Sequence, residues 1–211
     1  MKFLMISGKK RVGKNLLAKS VMKHLCKLNE EYETKYSYDE FAFAMGIKLL
    51  LNPIAKKLGM DIINNDKDKE LFRPVIMQLG KIACEIDNDI WTKSAFAMIK
   101  NQKVDIGINT DMRFEKELSY LKEHYSKQDY FIVRIIDDLS DPQWLKQQNY
   151  SEKNLDHISE NQYNLMIHKS MLFHKHNNQL EPNWNQFDEY GRHIALVIYK
   201  KLVNEKQMSL S

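Results

Sequence analysis

The sequence predicts an α/β fold built in three layers, a central parallel sheet with helices on both faces. Two observations carry that expectation. Short apolar runs of strand length alternate along the chain with longer stretches whose apolar residues recur at helical spacing. The first such run, KFLMIS at 2–7, ends on Gly8 and passes directly into a helical pattern, as a buried parallel strand does. At 211 residues the chain suits one domain with a core of its own, and it contains no internal repeat or low-complexity block.

The elements follow in order. From Lys14 to about Asn29, Leu16, Leu17, Val21, Leu25 and Leu28 mark a helix. YSYDEFAFA at 36–44 reads as a second strand. MGIKLLLNPIAKKLG at 45–59 is amphipathic, with Pro53 expected to kink it or divide it in two. The polar residues 64–70 read as a loop, and a helix is expected to open at Pro74, where a missing N–H costs nothing. Asn88 and Asp89 are candidate caps for a helix over 90–102. A strand at 104–109, a helix at 113–125 and a strand at 130–136 come next. The Asp-, Gln- and Asn-rich segment 137–163 reads as a loop or lid, 163–168 as a last strand and 186–204 as a closing helix, with a frayed tail.

The chemistry is concentrated between the first strand and the first helix. Gly8-Lys9-Lys10-Arg11-Val12-Gly13-Lys14 has the G-x-x-x-x-G-K spacing of a phosphate-binding loop. Successive backbone N–H groups in such a loop cradle phosphate oxygens, the helix N-terminus adds positive potential, and the lysine reaches the terminal phosphates. A solvated glycine turn, or a small nucleic-acid patch made by Lys9, Lys10 and Arg11, explains the placement less well. The next residue is Asn15, where a hydroxyl would ordinarily meet Mg²⁺. Its amide oxygen is an uncharged substitute, so Mg²⁺ would lean on substrate phosphates and on a further carboxylate, for which Asp111 after the 104–109 strand is the candidate. Asp111 could equally cap the following helix.

Together with GKKRVGK-N, the segments FAFAMGIK, RPVIMQLG…IDNDIW, TDMRF and DHISE, in that order, resemble the phage-type deoxynucleoside monophosphate kinases, which are more distantly similar to phosphomevalonate kinase. The resemblance implies a P-loop fold of nucleotide-kinase type with a lid, using ATP as phosphoryl donor with Mg²⁺. It places Gly8 to Asn15 on the donor triphosphate. Phe43, Lys48, Arg73, Gln78 and Trp91 fall on the acceptor nucleotide, within an acceptor-binding region at about 40–100. Asp156, His157 and Glu160 fall near the lid at about 137–163. Lys14, Asp111, Arg113 and Arg134 become the candidate catalytic residues, and Asn15 with Asp111 the candidate Mg²⁺ ligands. Met45 and Gly46 depart from the family's usual F-A-D-P-L-K, and the lid is poor in arginine.

The residue types agree with phosphoryl transfer, which asks a protein mainly to hold two anions in line and neutralise their charge. Of 32 cationic residues only five are arginine, and Arg11, Arg73, Arg113 and Arg134 all fall in or beside these motifs. Arg73 is the candidate clamp for an acceptor monophosphate, since a guanidinium fork matches phosphate bidentately. Gln78 could read a base edge, and Phe43 or Trp91 could stack on a base.

Other classes find less support. A net charge of +4 suits anionic small molecules and is too diffuse to argue for nucleic acid. No apolar stretch approaches membrane-span length. Cys26 and Cys84, far apart and without companions, read as core thiols in a reducing, cytoplasmic compartment. His168, His174 and His176 invite a metal reading but fall on an expected surface loop, and His157 with Asp156 and Glu160 lacks metal-ligand spacing. The expected partners are therefore small nucleotides, and kinases of this kind are often homodimers. Two alternatives stay open: the same fold with a phosphomevalonate-like acceptor, and a nucleotide-binding protein that no longer turns over.

Overall fold

The computed structural model describes residues 1–9, 11–139, 163–176 and 179–208. The chain forms two compact units, one from residues 1–40 and 104–211 and the other from residues 41–103. The second unit coincides with the segment expected to hold the acceptor.

The first unit is built on a five-stranded sheet in the order β2-β3-β1-β4-β5, comprising β1 (Lys2–Gly8), β2 (Tyr38–Phe41), β3 (Ile106–Met112), β4 (Tyr130–Ile136) and β5 (Leu165–His168). β1 runs parallel to β3 and β4, and β4 runs parallel to β5. β1 is continuously apolar because both of its faces are covered. Leu4 and Ile6 enter a core with Ile106, Ile108, Val133, Ile135 and Ile167, against α1 (Lys14–Glu31) and the last helix, α7 (Trp184–Met208). Phe3 and Met5, equally buried, belong to the opposite face, where Phe3 meets Tyr125 edge-on at 4.7 Å beyond α5 (Glu115–His124). α1 buries Leu17, Ala18, Val21, His24, Leu25 and Leu28, the stripe its periodicity predicts. Among the described residues no helix is long and apolar enough to cross a membrane.

The second unit holds α2 (Met45–Lys57), α3 (Asp66–Ile86) and α4 (Ile90–Asn101) around Ile47, Leu51, Ala55, Ile62 and Phe72. Three expectations are corrected here. α2 is one helix with Pro53 inside it; Pro53 is exposed, where water can take the carbonyl its ring leaves unbonded. α3 begins at Asp66, well before Pro74. The Asn65 side chain accepts N–H bonds from Lys67 and Asp68, and Asp66 and Asp68 favour the positive end of the helix, so the polar residues 64–70 cap and open a helix. Asp89 occupies the N-cap of α4 without a side-chain cap; the Asp87 carboxylate takes the Asp89 N–H instead, at 3.0 Å.

Elsewhere, β2 is shorter than 36–44 and α7 starts two residues earlier than expected. β3 runs on to Met112 through a register irregularity opposite Met5 and Ser7, so Asp111 lies within the strand and caps no helix. A helical turn, α6 (Lys169–Leu172), and a hairpin of β6 (Phe173–His176) with β7 (Gln179–Pro182) stand between β5 and α7, where no element was expected. Cys26 is exposed on α1 and is no core thiol.

Candidate active site

β1 delivers Gly8 to the C-terminal edge of the sheet, and α1 starts at Lys14, so the intervening loop turns in very few residues. Three backbone conformations make the turn: Gly8 at φ 143°, Arg11 at φ 65° and Gly13 at φ 98°. The two glycines answer to space as well as to φ. A Cβ on Gly8 would lie 2.6 Å from the Ile135 carbonyl oxygen, and one on Gly13 would lie 2.9 Å from the Phe187 ring. Val12 is fully buried in the core and brings only its backbone to the loop. Lys9 is half-buried, Arg11 exposed, and Lys10 lies outside the described residues.

Lys14 is folded into the loop. Its Nζ donates to the carbonyls of Gly8 and Lys9, each at 2.6 Å, and the residue is 8% exposed. Short charge-assisted bonds of this kind fix both the lysine and the loop. Gly13 gives α1 no side-chain cap, and the first turn holds no acidic residue, so the positive end of the helix is left uncompensated by carboxylate. The hydroxyl of Ser7, fully buried at the end of β1, has no hydrogen-bond partner among the described residues. A left-handed turn, an inward lysine, an uncapped helix start and an orphan hydroxyl together fit a polyphosphate.

The neighbouring strands bring three more of the expected residues to this unit. Arg134 is the register partner of Ser7, in the middle of β4 and not at its end. Its Nη1 lies 3.3 Å from the Tyr163 hydroxyl, and its guanidinium stands 5.4 Å from the centre of that ring. Asp111, half-buried, is the last residue but one of β3, next to Met112, the register partner of Ser7; its N–H bonds the Asn109 side chain at 3.1 Å. Arg113 follows, and its backbone N–H donates to Glu117 Oε2 at 2.6 Å. Glu117 is 5% exposed, and burial pushes its carboxyl up to about 8. Neither Ser7 nor Glu117 stood out in the sequence, where one ends an apolar run and the other is one acid of a charged helix. The chemistry of Asn15, exposed on the first turn of α1, and of Asp111 suits Mg²⁺ held largely by substrate phosphates. Among the described residues no cluster of three acidic, histidine or cysteine side chains forms a metal cage.

Phe43, Lys48, Arg73, Gln78 and Trp91, expected on the acceptor, lie in the second unit. Phe43 is buried, edge-on to Phe41 and tilted against Phe96, a core position. Trp91 donates its Nε1–H to the Gly80 carbonyl at 3.1 Å, tying α4 to α3. A Cβ on Gly46 would lie 3.0 Å from the Ser94 hydroxyl oxygen and 3.3 Å from the Trp91 ring. Arg73 grips the carboxylate of Glu70, one turn back on α3, with Nε to Oε2 at 2.7 Å and Nη2 to Oε1. That is the forked grip a phosphate would need, held by an exposed ion pair. Lys48 is half-buried on α2, and Gln78 is exposed on the outer side of α3.

Asp156, His157 and Glu160, with residues 140–162 of the expected lid, lie outside the described residues. The first two lid positions are tied to the sheet edge. Asp137 Oδ1 lies 3.1 Å from Lys169 Nζ, both side chains buried, and Asp138 accepts from the Ser170 N–H and hydroxyl at 2.9 and 2.6 Å. His168 pairs with Asp138 and His174 with Glu181, each with its own carboxylate. An open cleft of about 410 Å³, lined by Lys23, Trp184, Asp188 and Arg192, lies farther along α1 and is separate from the phosphate loop.

A parallel sheet whose central strand feeds a glycine loop and an inward lysine has the architecture of a P-loop kinase-like fold. The profile of the phosphomevalonate kinase family matches residues 6–127, more than half of the chain and including the loop, Asp111, Arg113 and Glu117. The chain belongs to that family, a family of kinases. No curated protein matches it closely enough to narrow the activity further.

Proposed function

We propose that the protein transfers the γ-phosphoryl group of ATP to the phosphate of a deoxynucleoside monophosphate. The observation that carries the reading is the loop itself: Lys14 locked to the Gly8 and Lys9 carbonyls beneath an uncapped helix start. The order of the five motifs supports a nucleotide as the acceptor. Loop N–H groups and Lys14 bind the donor phosphates. An acceptor phosphate oxygen attacks the γ-phosphorus in line, the bond to the β-phosphate oxygen breaks, and ADP leaves. Arg113 and Arg134 would neutralise the transferring group, and Arg73 would release Glu70 to take the acceptor phosphate. Asn15 and Asp111 would hold Mg²⁺, which supplies charge neutralisation when bound.

The second reading keeps the donor side and takes phosphomevalonate as acceptor. The family match favours it, and so does the engagement of Phe43 and Trp91 in packing, which weakens the case for base stacking. One assay separates the two: ADP release with ATP and Mg²⁺ against the deoxynucleoside monophosphates, the ribonucleotides and phosphomevalonate. Turnover with a deoxynucleotide, abolished in Lys14→Ala, is expected. Turnover with phosphomevalonate alone selects the second reading. Tight ATP binding with silence across the panel would leave a nucleotide-binding protein without transfer and sink both.

A further inference from the structure

Ser7 is the last side chain of β1 before the glycine loop, and it stands on the side of the sheet away from α1 and α7. Leu4 and Ile6 of β1 enter the core on the α1 side, as do Phe131, Val133 and Ile135 of β4. Strand alternation therefore puts Phe3, Met5 and Ser7 on the other face, and Arg134 shares that face from β4. The row of register partners crossing the sheet at this level is Met112, Ser7, Arg134 and Met166. A methionine offers only a weak acceptor, so Arg134 is the one strong donor in the row.

The hydroxyl of Ser7 is a liability in the free fold. The residue is fully buried, and a buried hydroxyl left unpaired costs stability that alanine at the same place would not. Register partners on neighbouring strands stand about 4.8 Å apart, so a guanidinium swung along the sheet from Arg134 reaches the Ser7 Oγ. In this structure the guanidinium turns to Tyr163 instead. Its Nη1 lies 3.3 Å from that hydroxyl, beyond the usual N–H···O distance, so the contact is loose enough to exchange. The residue after Ser7 is Gly8, whose carbonyl holds Lys14 Nζ at 2.6 Å. An arginine anchored on Ser7 stands beside that lysine, where terminal phosphates meet the loop. We propose that Ser7 is a positioning residue for Arg134: when the donor's phosphates occupy the loop, the guanidinium leaves Tyr163 and donates to Ser7 Oγ and to a phosphate oxygen. The proposal rests on the donor side of the reading above and is independent of the acceptor.

The test reads ATP binding and not turnover, on the full chain. Titration calorimetry with ATP and Mg²⁺ compares the wild type, Ser7→Ala, Arg134→Met and the double variant. Ser7→Ala should weaken ATP by about tenfold and Arg134→Met by at least as much, with the double variant no weaker than Arg134→Met alone. Ser7→Cys keeps the volume and accepts poorly, so it should bind ATP as weakly as Ser7→Ala. Without ATP, Ser7→Ala should melt no lower than the wild type, because no bond is lost. Unchanged ATP affinity in Ser7→Ala overturns the proposal. A further loss on combining it with Arg134→Met does so too, since the hydroxyl would then act without the arginine. A lower melting temperature of free Ser7→Ala has the same force, by showing that the hydroxyl already has a partner. A wild type that binds no ATP sinks this proposal together with the donor reading, whereas one that binds ATP and phosphorylates no nucleotide fails the acceptor reading alone, and the four titrations still decide the role of Ser7.

Discussion

Glu117 Oε2 accepts the backbone N–H of Arg113 at 2.6 Å, and that of Phe114 at 2.9 Å, from inside the first turn of α5. This one oxygen sets the turn that leads from the end of β3 through Arg113 into α5. Burial pushes the carboxyl up to about 8 and the nearby Asp111 adds to the push, against the pull of the two N–H groups and of Arg113. Between about pH 4.5 and 8 the folded protein therefore holds a proton that the unfolded chain releases. Stability from this group is present in full below the lower value and lost as pH rises through the upper one, by on the order of a few kcal/mol. Glu117→Gln keeps an acceptor oxygen and cannot ionise. Its melting temperature should fall less between pH 5 and 9 than that of the wild type; parallel curves would show that Glu117 is ionised in the folded state.

The two loop glycines should differ in cost. Alanine at Gly8 meets a backbone carbonyl at 2.6 Å, which cannot move without disturbing β4, whereas alanine at Gly13 meets the edges of Phe187 and Phe173, which can turn. Both positions also carry a φ that strains an L side chain, by about 1–3 kcal/mol. Gly13→Ala is expected near that range and Gly8→Ala above it, read from urea midpoints at unchanged slope. Equal losses would mean that φ alone sets the penalty.

What the sequence made legible follows from where pattern and physics coincide. β1, the loop and α1 were readable because a doubly buried strand, a glycine turn and a helical stripe each leave a distinct period. The start of α3 was not, because Asp66 to Glu70 are as polar as a loop and only the Asn65 cap separates the two cases. The end of β3 was hidden for a related reason: Asn109, Thr110 and Asp111 interrupt the apolar run, and pairing with β1 carries the strand through them. Site residues divide the same way. Lys14 was marked by its spacing, while the role of Glu117 depends on burial and on two backbone N–H groups that no local pattern encodes. Phe43 and Trp91 were readable as aromatic, but their partners within the second unit are tertiary.

The ion pair of Asp137 and Lys169 lies just beyond the ends of β4 and β5, with side chains 2% and 9% exposed. Removing Lys169 takes the opposite charge away from a buried carboxylate, so Lys169→Met alone should cost about 3–5 kcal/mol. The double variant Asp137→Leu, Lys169→Met should recover most of that loss, since an apolar pair of similar volume needs no desolvation. A double variant as unstable as the single one would mean that the pair holds the edge by geometry and not by mutual charge. Chemical denaturation of the three proteins decides between these.

Asn15 is exposed on the first turn of α1, where no acidic side chain meets the helix dipole. Asn15→Asp should therefore act in opposite directions on the fold and on the site. The free protein gains about 0.3–1 kcal/mol from a carboxylate at the positive end of the helix, and its melting temperature rises. Donor phosphates brought to the same turn meet a like charge, so ATP binding without Mg²⁺ should weaken, by roughly tenfold for 1.4 kcal/mol of repulsion. Added Mg²⁺ should restore more affinity in the variant than in the wild type, because a carboxylate is a stronger ligand for it than an amide oxygen. Titration calorimetry with and without Mg²⁺, beside a melting curve, reads all three effects. A stability gain with unchanged ATP affinity in both conditions would place Asn15 outside the reach of the phosphates and leave Asp111 as the remaining candidate for the metal.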